Sequence, residues 1–162
     1  MKNIILIGMM GCGKSTIGKV LSKKIKYNFV DMDSYIEKIS KQSIKELFEV
    51  SEDNFRNWES KACEQLSEKK GLIIACGGGV IKREINMSFL KRNGIVIYLD
   101  RNIESILNDI DTRRRPLLAN GTEVLYKLKE EREALYIKYS DYIIKNNNGI
   151  KNSIDKIEKI LR

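Results

Sequence analysis

Short apolar runs alternate with helical patterns along most of the chain. Each run is continuous in hydrophobic residues, which is typical of strands buried on both faces of a parallel sheet. The predicted strands are 3–7, 29–30, 72–76, 95–99 and a less apolar 142–144. Apolar residues at helical spacing predict helices over 14–25, 43–50, 52–69, 86–92, 103–109, 122–139 and a C-terminal 150–161. This alternation predicts one doubly wound α/β domain spanning 1–162.

Composition narrows the chemistry more than the fold. The 162 residues are 42% hydrophobic and 32% charged, which is typical of a globular domain with a real core. No histidine is present, so the sequence excludes imidazole general bases, Ser/His/Asp catalytic triads and the common zinc sites that contain histidine. Cys12, Cys63 and Cys76 show no CxxC spacing, and a reducing cytoplasm fits them better than a disulfide framework. No signal peptide or membrane span is predicted.

The strongest motif is a glycine-rich loop after the first predicted strand. Residues 8–15, Gly-Met-Met-Gly-Cys-Gly-Lys-Ser, satisfy GxxxxGK[ST] between that strand and the first predicted helix. Its glycines let backbone amides converge on phosphate oxygens, and the helix N-terminus adds its positive dipole end. Lys14 adds a full charge, and the Ser15 hydroxyl can ligate magnesium. The motif predicts a binding site for a nucleoside triphosphate. Cys12 is interpreted as a small residue that fills space rather than as a nucleophile.

Two further motifs follow predicted strands at the edge where open α/β sheets bind ligands. Asp31 and Asp33 follow the second strand, where alternation would turn one carboxylate to magnesium and the other to a second substrate. The alternative is that Asp33 or Ser34 only caps the next helix. Three consecutive glycines, 77–79, follow the third strand; they cost chain entropy and indicate close backbone approach to a ligand.

Arginines supply the remaining candidates. Arg56, three residues before Glu59, would by itself be interpreted as an ordinary surface ion pair on a helix. Arginines 113–115 lie in the aperiodic stretch 109–122, and Arg132 lies on the helix that follows. They are either a solvated charge run or charge clamps on a lid over the phosphates.

In this order the motifs resemble those of the shikimate kinase family along nearly the whole chain. The matching segments are the loop 8–15, Asp-Met-Asp at 31–33, Phe-Arg-Asn-Trp-Glu at 55–59, Gly-Gly-Gly at 77–79, Arg-Pro-Leu-Leu at 115–118, and Arg132 with Leu-Tyr at 135–136. The resemblance implies a three-layer P-loop fold with a five-stranded parallel sheet of order 2-3-1-4-5. It also implies a helical substrate-binding subdomain over 33–60 and a mobile lid over 109–122.

The resemblance further implies transfer of the ATP γ-phosphate to the 3-hydroxyl of shikimate, with Mg²⁺ bound through Ser15 and Asp31. The implied catalytic residues are Asp33, Lys14 and Arg115. The implied nucleotide-binding residues are Gly11, Cys12, Gly13, Lys14, Ser15, Thr16 and Arg115. The implied substrate-binding residues are Asp33, Arg56, Gly78, Gly79 and Arg132. Asn108 stands where many members place an arginine that stacks on adenine, so the adenine contact here stays open.

Two alternatives remain at this point. Gluconate and nucleoside monophosphate kinases share the P-loop and lid but do not require the other motifs. The formal charge of +8 could instead indicate a P-loop protein that associates with nucleic acid, although the lysines are scattered along the chain. The resemblance implies a cytoplasmic monomer that binds shikimate, and we expect it to bind neither nucleic acid nor membrane.

Overall fold

A five-stranded parallel sheet forms the centre of the computed structural model, which describes residues 1–109 and 122–162. The strands are β1 (Asn3–Ile7), β2 (Asn28–Asp31), β3 (Leu72–Ala75), β4 (Gly94–Asp100) and β5 (Tyr142–Lys145). Their order across the sheet is β2-β3-β1-β4-β5, and every neighbouring pair is parallel. The predicted fold class and strand order are confirmed.

Eight helices accompany the sheet in the described part of the chain. They are α1 (Lys14–Ile25), α2 (Met32–Ser40), α3 (Ile44–Val50), α4 (Glu52–Ser67), α5 (Glu84–Lys91), α6 (Ile103–Asp109), α7 (Glu123–Tyr139) and α8 (Ile150–Leu161). A short 3-10 turn, Val80–Lys82, follows the three glycines. Among these helices, none is long enough and apolar enough to cross a bilayer.

Helix α2 is the one helix that the hydrophobic pattern did not predict. It begins immediately after β2 because the Asp31 carboxylate accepts a hydrogen bond from the Ser34 backbone N–H and so caps the first turn. Ser43 and Ser51 cap α3 and α4 in the same way. The alternative interpretation, in which Asp33 or Ser34 only caps this helix, is therefore wrong, since the cap lies at Asp31, the last residue of the strand.

The core has two layers because both sides of each central strand are buried. One layer contains Ile5, Ile74 and Tyr98 and is covered by residues of α4, α5 and α7. The other contains Ile4 and Leu6, which pack against apolar residues of α1 and α8. The strands thus have helices on both faces, as their continuous apolar runs predicted. All five strands end at one edge, and the functional candidates are distributed along it.

Candidate active site

A cavity of about 520 Å³ opens at the carboxyl edge of the sheet. Two of the sequence motifs and part of a third line it together. The predicted site residues in its wall are Gly11, Gly13, Lys14, Ser15, Thr16, Asp31, Asp33 and Gly78. The structure therefore brings the P-loop, the paired carboxylates and the glycine segment to one chamber.

The P-loop presents backbone N–H groups to this cavity. Gly11 and Gly13 have positive φ values of 76° and 106°, a backbone conformation that residues other than glycine adopt only with strain. A Cβ on Gly13 would also lie 2.6 Å from the Asn146 Nδ2. Helix α1 begins at Lys14 with no acidic residue in its first turn and no side-chain cap. Its N-terminal dipole and amides are thus left for an anion.

The Lys14 ammonium lies on the loop's own backbone. Its Nζ donates to the Gly8 carbonyl at 2.6 Å and to the Met9 carbonyl at 3.0 Å. Nζ also donates to Cys12 Sγ, a weak acceptor, at 3.8 Å, so these three contacts hold the ammonium against the loop at the cavity wall.

Cys12 differs from the other loop residues in lying behind the cavity wall rather than in it. Its side chain is buried with the apolar layer that α1 and α8 cover. Its N–H donates to the Met9 carbonyl, and its carbonyl accepts from Asn146 Nδ2 at 2.7 Å. The Ser153 hydroxyl in turn donates to Asn146 Oδ1 at 2.6 Å. Through its carbonyl, Cys12 ties the P-loop to the segment after β5, while its binding of the nucleotide stays a prediction.

Asp31 and Asp33 both line the cavity, but they reach it by a different route from the one predicted. The chain enters α2 directly after Asp31, so a helical turn and not strand alternation separates the two carboxylates. Asp31 Oδ2 accepts from both the N–H and the hydroxyl of Ser34, each at 3.0 Å. Its other carboxylate oxygen has no hydrogen-bond donor among the described residues.

Burial raises the pKa of the Asp33 carboxyl above the ordinary aspartate value. Desolvation of its carboxylate inside the cleft is the largest cause, and the nearby negative charge of Asp31 adds to it. The ammonium of Lys14 acts in the opposite direction with a smaller effect. Gly77 is the neighbouring backbone, since a Cβ built on it would lie 3.5 Å from Asp33 Oδ1.

Arg56 and Glu59 form a buried ion pair rather than the surface pair that spacing alone suggested. Arg56 Nη1 donates to Glu59 Oε1 at 2.9 Å, and the Glu59 side chain is fully buried. Burial raises the pKa of Glu59 although the guanidinium opposes this shift. The second Glu59 oxygen has no hydrogen-bond partner among the described residues. It lies 3.5 Å from the position of a Cβ on Gly77, beside Asp33.

A second carboxylate holds the other edge of Arg56. Glu52 Oε2 accepts from Arg56 Nε at 3.3 Å and from Lys82 Nζ at 2.5 Å. Both cations lower the pKa of Glu52. Arg56 is consequently only 8% exposed and lies behind the cavity wall instead of lining it.

Arg56 and Arg132 approach consecutive glycines from different helices. A Cβ on Gly79 would lie 2.5 Å from Arg56 Nη2, and a Cβ on Gly78 would lie 3.1 Å from Arg132 Nη1. Because α4 carries the first arginine and α7 the second, the fold brings both guanidinium groups to the glycine segment. The three consecutive glycines therefore leave room for two arginine side chains, while the approach of a ligand to them stays a prediction.

Several cavity residues were missed by sequence reasoning. At the end beyond the P-loop the wall is formed by Arg101, Asp109, Asn146, Asn147, Gly149 and Ile150. Arg101 donates to the Gly11 carbonyl at 3.0 Å and pairs with Asp109. The signal available in the sequence was the position of Arg101 directly after β4 and of the asparagines directly after β5, again at the ligand-binding edge.

One predicted site residue belongs to the segment between α6 and α7. Arg115, with the rest of 110–121, lies outside the described residues, so the predicted lid is represented here only by its flanking positions Asp109 and Thr122.

This chain is similar over its length to proteins named shikimate kinase. Residues 10–162 match the family model described as shikimate kinase. The shikimate kinase of Clostridium botulinum (strain Alaska E43 / Type E3) is 49% identical over 162 residues, covering 99% of this chain and 98% of that protein. The one from Clostridium beijerinckii is 46% identical over 162 residues, covering 99% and 96%. A solved structure, shikimate kinase from Acinetobacter baumannii in complex with shikimate, has a TM-score of 0.90 and 35% identity, and covers 99% of this chain and 93% of that one.

Proposed function

The chain belongs to the shikimate kinase family, and we propose that its cavity binds ATP and shikimate side by side at the carboxyl edge of the sheet. The reaction transfers the γ-phosphate of ATP to the 3-hydroxyl of shikimate and yields shikimate 3-phosphate and ADP. The observation that carries the proposed arrangement is that one cavity contains both the P-loop and Asp33.

The phosphates of ATP occupy the P-loop in this proposal. Gly11, Gly13, Ser15 and Thr16 surround the N-terminus of α1, where uncapped amides and the helix dipole favour negative charge. The Lys14 ammonium, which lines the same cavity, adds a full positive charge beside the phosphates. Phosphoryl transfer depends mainly on positioning and charge stabilisation, so the absence of histidine is no obstacle.

Mg²⁺ fits the donors that the cavity offers. Ser15 and Asp31 both line it, and one oxygen of Asp31 is not engaged by Ser34. In the described residues there is no group of three or more His, Cys, Asp or Glu around one point. A partial oxygen set suits magnesium, which keeps several waters and takes only one or two carboxylates beside the phosphates. When bound, the ion neutralises phosphate charge.

Asp33 is the residue that we assign to the acceptor hydroxyl. Its carboxylate lies in the cavity beside the glycine segment, and Lys14 is close enough to influence its ionisation. An ionised Asp33 orients the 3-hydroxyl and takes its proton as the new O–P bond forms. The raised pKa makes the carboxylate a better proton acceptor than an ordinary aspartate.

We expect this pKa to be visible in the pH profile. Only the ionised carboxylate can accept the proton, and a raised pKa means that protonation begins at a higher pH as the solution is acidified. The kcat/KM of the wild type should therefore fall on its acid side at a pH above the ordinary aspartate value of 3.8. Asp31→Asn removes one raising charge, so its acid limb should move to lower pH.

ATP itself also titrates in this pH range. Because the wild type and Asp31→Asn use the same substrate, this titration affects both pH profiles equally and does not contribute to the difference between them. Asp155→Asn serves as the matched control, since this exposed aspartate lies on α8 away from the cavity. An acid limb that stays in place or moves upward in Asp31→Asn contradicts the electrostatic coupling of the two carboxylates.

Arg56 and Arg132 are proposed to hold the shikimate carboxylate, with Gly78 and Gly79 approaching its ring. Both guanidinium groups lie against these glycines, which places positive charge on two sides of one small volume. A planar guanidinium can grip a carboxylate with two parallel bonds, whereas an ammonium cannot.

Arg56→Lys should raise the KM for shikimate about tenfold or more while the KM for ATP changes little. The lysine has no planar guanidinium with which to bind a carboxylate through two bonds. It also cannot form both of the bonds that Arg56 makes to Glu52 and Glu59. Steady-state kinetics with each substrate varied measures this split, and Arg92→Lys on the surface after α5 is the control. If an analogue without the carboxylate binds the wild type as tightly as shikimate, the assignment is wrong.

Arg115 and the lid over 109–122 remain predictions of the sequence resemblance. In the same way we propose a monomeric, cytoplasmic protein that binds neither nucleic acid nor membrane. The three buried cysteines are all free, which accords with a reducing compartment.

A coupled ADP-release assay tests the proposed function directly. ADP should appear rapidly only when ATP, Mg²⁺ and shikimate are all present, and removal of Mg²⁺ by a chelator should abolish it. Faster turnover with gluconate or a nucleoside monophosphate would overturn the assignment of the acceptor. A mobility-shift assay with DNA and RNA at physiological salt tests the alternative raised by the charge of +8.

A further inference from the structure

Tyr136 is a buried residue to which the proposed function gives no role. It lies on α7 one turn after Arg132, and its side chain is fully enclosed. Its ring stacks on Tyr98 of β4 with the centroids 4.9 Å apart. This stack would explain an apolar ring at the position, but it does not use the hydroxyl.

The hydroxyl meets three parts of the proposed site. It donates to the Gly78 carbonyl at 2.6 Å and lies 3.8 Å from the Met9 Sδ of the P-loop. The guanidinium of Arg132 lies beside it as well, and burial raises the pKa of Tyr136 to about 12. The group therefore stays protonated at working pH and remains a donor to Gly78.

This hydrogen bond fixes the plane of one peptide group. The Gly78–Gly79 peptide is trans, as no cis bond occurs in the described chain. In a trans peptide the carbonyl and the following N–H point in opposite directions. The bond from Tyr136 to the Gly78 carbonyl therefore turns the Gly79 N–H away from α7.

The glycine segment needs such a restraint more than other loops do. Glycine has wide conformational freedom, and three in a row can flip their peptide planes at little cost. Among residues 1–109 and 122–162, neither the Gly78 N–H nor the Gly79 N–H finds an acceptor. Apart from the turn bonds that Gly77 and Gly79 carbonyls accept from Val80 and Lys82, the Tyr136 hydroxyl is the described partner of this segment.

We propose that Tyr136 is a positioning residue for the acceptor end of the cavity: its hydroxyl holds the Gly78–Gly79 peptide and so fixes the backbone at Gly78, the residue of this pair that lines the cavity where the acceptor substrate binds. The inference rests on the proposed function, because it assumes that shikimate binds against these glycines. It also explains why a tyrosine and not a phenylalanine stacks on Tyr98.

Tyr136→Phe tests the hydroxyl alone, because the ring and its stack are retained. Loss of one buried hydrogen bond to the loop should raise the KM for shikimate about five- to tenfold. The KM for ATP and the affinity for ADP should change less than about twofold, since the P-loop bonds of Lys14 are untouched. Calorimetric titration with shikimate and with ADP gives the same split without turnover.

Tyr98→Phe is the matched control from the same stack. Its hydroxyl donates to Glu133 at 2.5 Å and has no contact with the glycine segment. Both variants should lose thermal stability to a similar small extent, but only Tyr136→Phe should weaken shikimate. Equal shikimate affinity in Tyr136→Phe and wild type overturns the inference, as does an equal loss for shikimate and ADP. A wild type that does not phosphorylate shikimate contradicts the proposed function instead.

A second measurement follows the peptide group itself. In protein labelled with ¹⁵N-glycine, which contributes at most eleven amide signals, the Gly78 and Gly79 signals should shift when shikimate binds. In Tyr136→Phe these two signals should be broadened or doubled before shikimate is added, because the peptide plane is no longer held. Signals identical to those of the wild type would mean that the hydroxyl does not restrain the segment.

Discussion

Asp33→Asn should reduce kcat by about 10² to 10⁴, the range expected when a general base is removed. The amide keeps the size of the side chain and can still accept a hydrogen bond, but it cannot take a proton from the acceptor hydroxyl. Affinity for ATP should change much less, because the amides of the P-loop and Lys14 hold the phosphates. The kcat should be measured at saturating shikimate, with ATP affinity measured separately by titration.

Two outcomes distinguish this role from others. An equal loss of ATP affinity and turnover would place Asp33 on the nucleotide side of the cavity. Asp155→Asn makes the same chemical change on the exposed face of α8 and should have wild-type kinetics. The neutral amide also removes a charge beside Asp31, so thermal stability is expected to stay the same or rise slightly.

The sheet was predictable because the burial of its strands is evident from their hydrophobic sequences. Strands β1, β3 and β4 are continuous apolar runs, and the structure buries residues on both of their faces. The P-loop was equally predictable, since its glycines, lysine and serine occur in a local pattern at a strand-to-helix junction. In both cases the physical cause acts within a few neighbouring residues.

Helix α2 was missed for a local reason of a different kind. Its first residue follows the last residue of β2 with no loop between them, so the boundary has no glycine or proline to mark it. The capping residue, Asp31, also carries candidate chemistry, and the sequence offered no way to separate the two roles. The structure shows that one carboxylate oxygen caps the helix while both aspartates line the cavity.

The unpredicted parts of the site depend on contacts between distant segments. Glu59 is buried against Arg56 because α4 packs beside the glycine segment, and nothing in the spacing of two charged residues indicates such burial. Asn146 reaches the P-loop across 134 positions of the chain. The hydroxyl of Tyr136 reaches Gly78 across 58 positions. The periodicity of a sequence indicates which face of a helix or strand a residue occupies. It does not identify which distant residue that side chain contacts.

Lys14→Ala should lower kcat/KM about a thousandfold or more, with loss of affinity for ATP as well as of turnover. The ammonium is the one full charge on the P-loop, residues 8–15, and it stabilises charge that develops on the phosphates. Because Nζ also donates to the Gly8 and Met9 carbonyls, the variant loses two bonds that hold the loop. A modest fall in melting temperature is therefore expected, with the sheet intact by circular dichroism.

Lys19→Ala on the same helix is the control, since its exposed ammonium lies over the Phe29 ring and away from the cavity. Any residual activity of Lys14→Ala carries a second signature. The ammonium lowers the pKa of Asp33, so its removal should move the acid limb of the pH profile upward, opposite to the shift expected for Asp31→Asn. Wild-type turnover in Lys14→Ala would refute the assignment of the loop to ATP. An unmoved acid limb would leave the loop assigned and show that Lys14 does not act on Asp33.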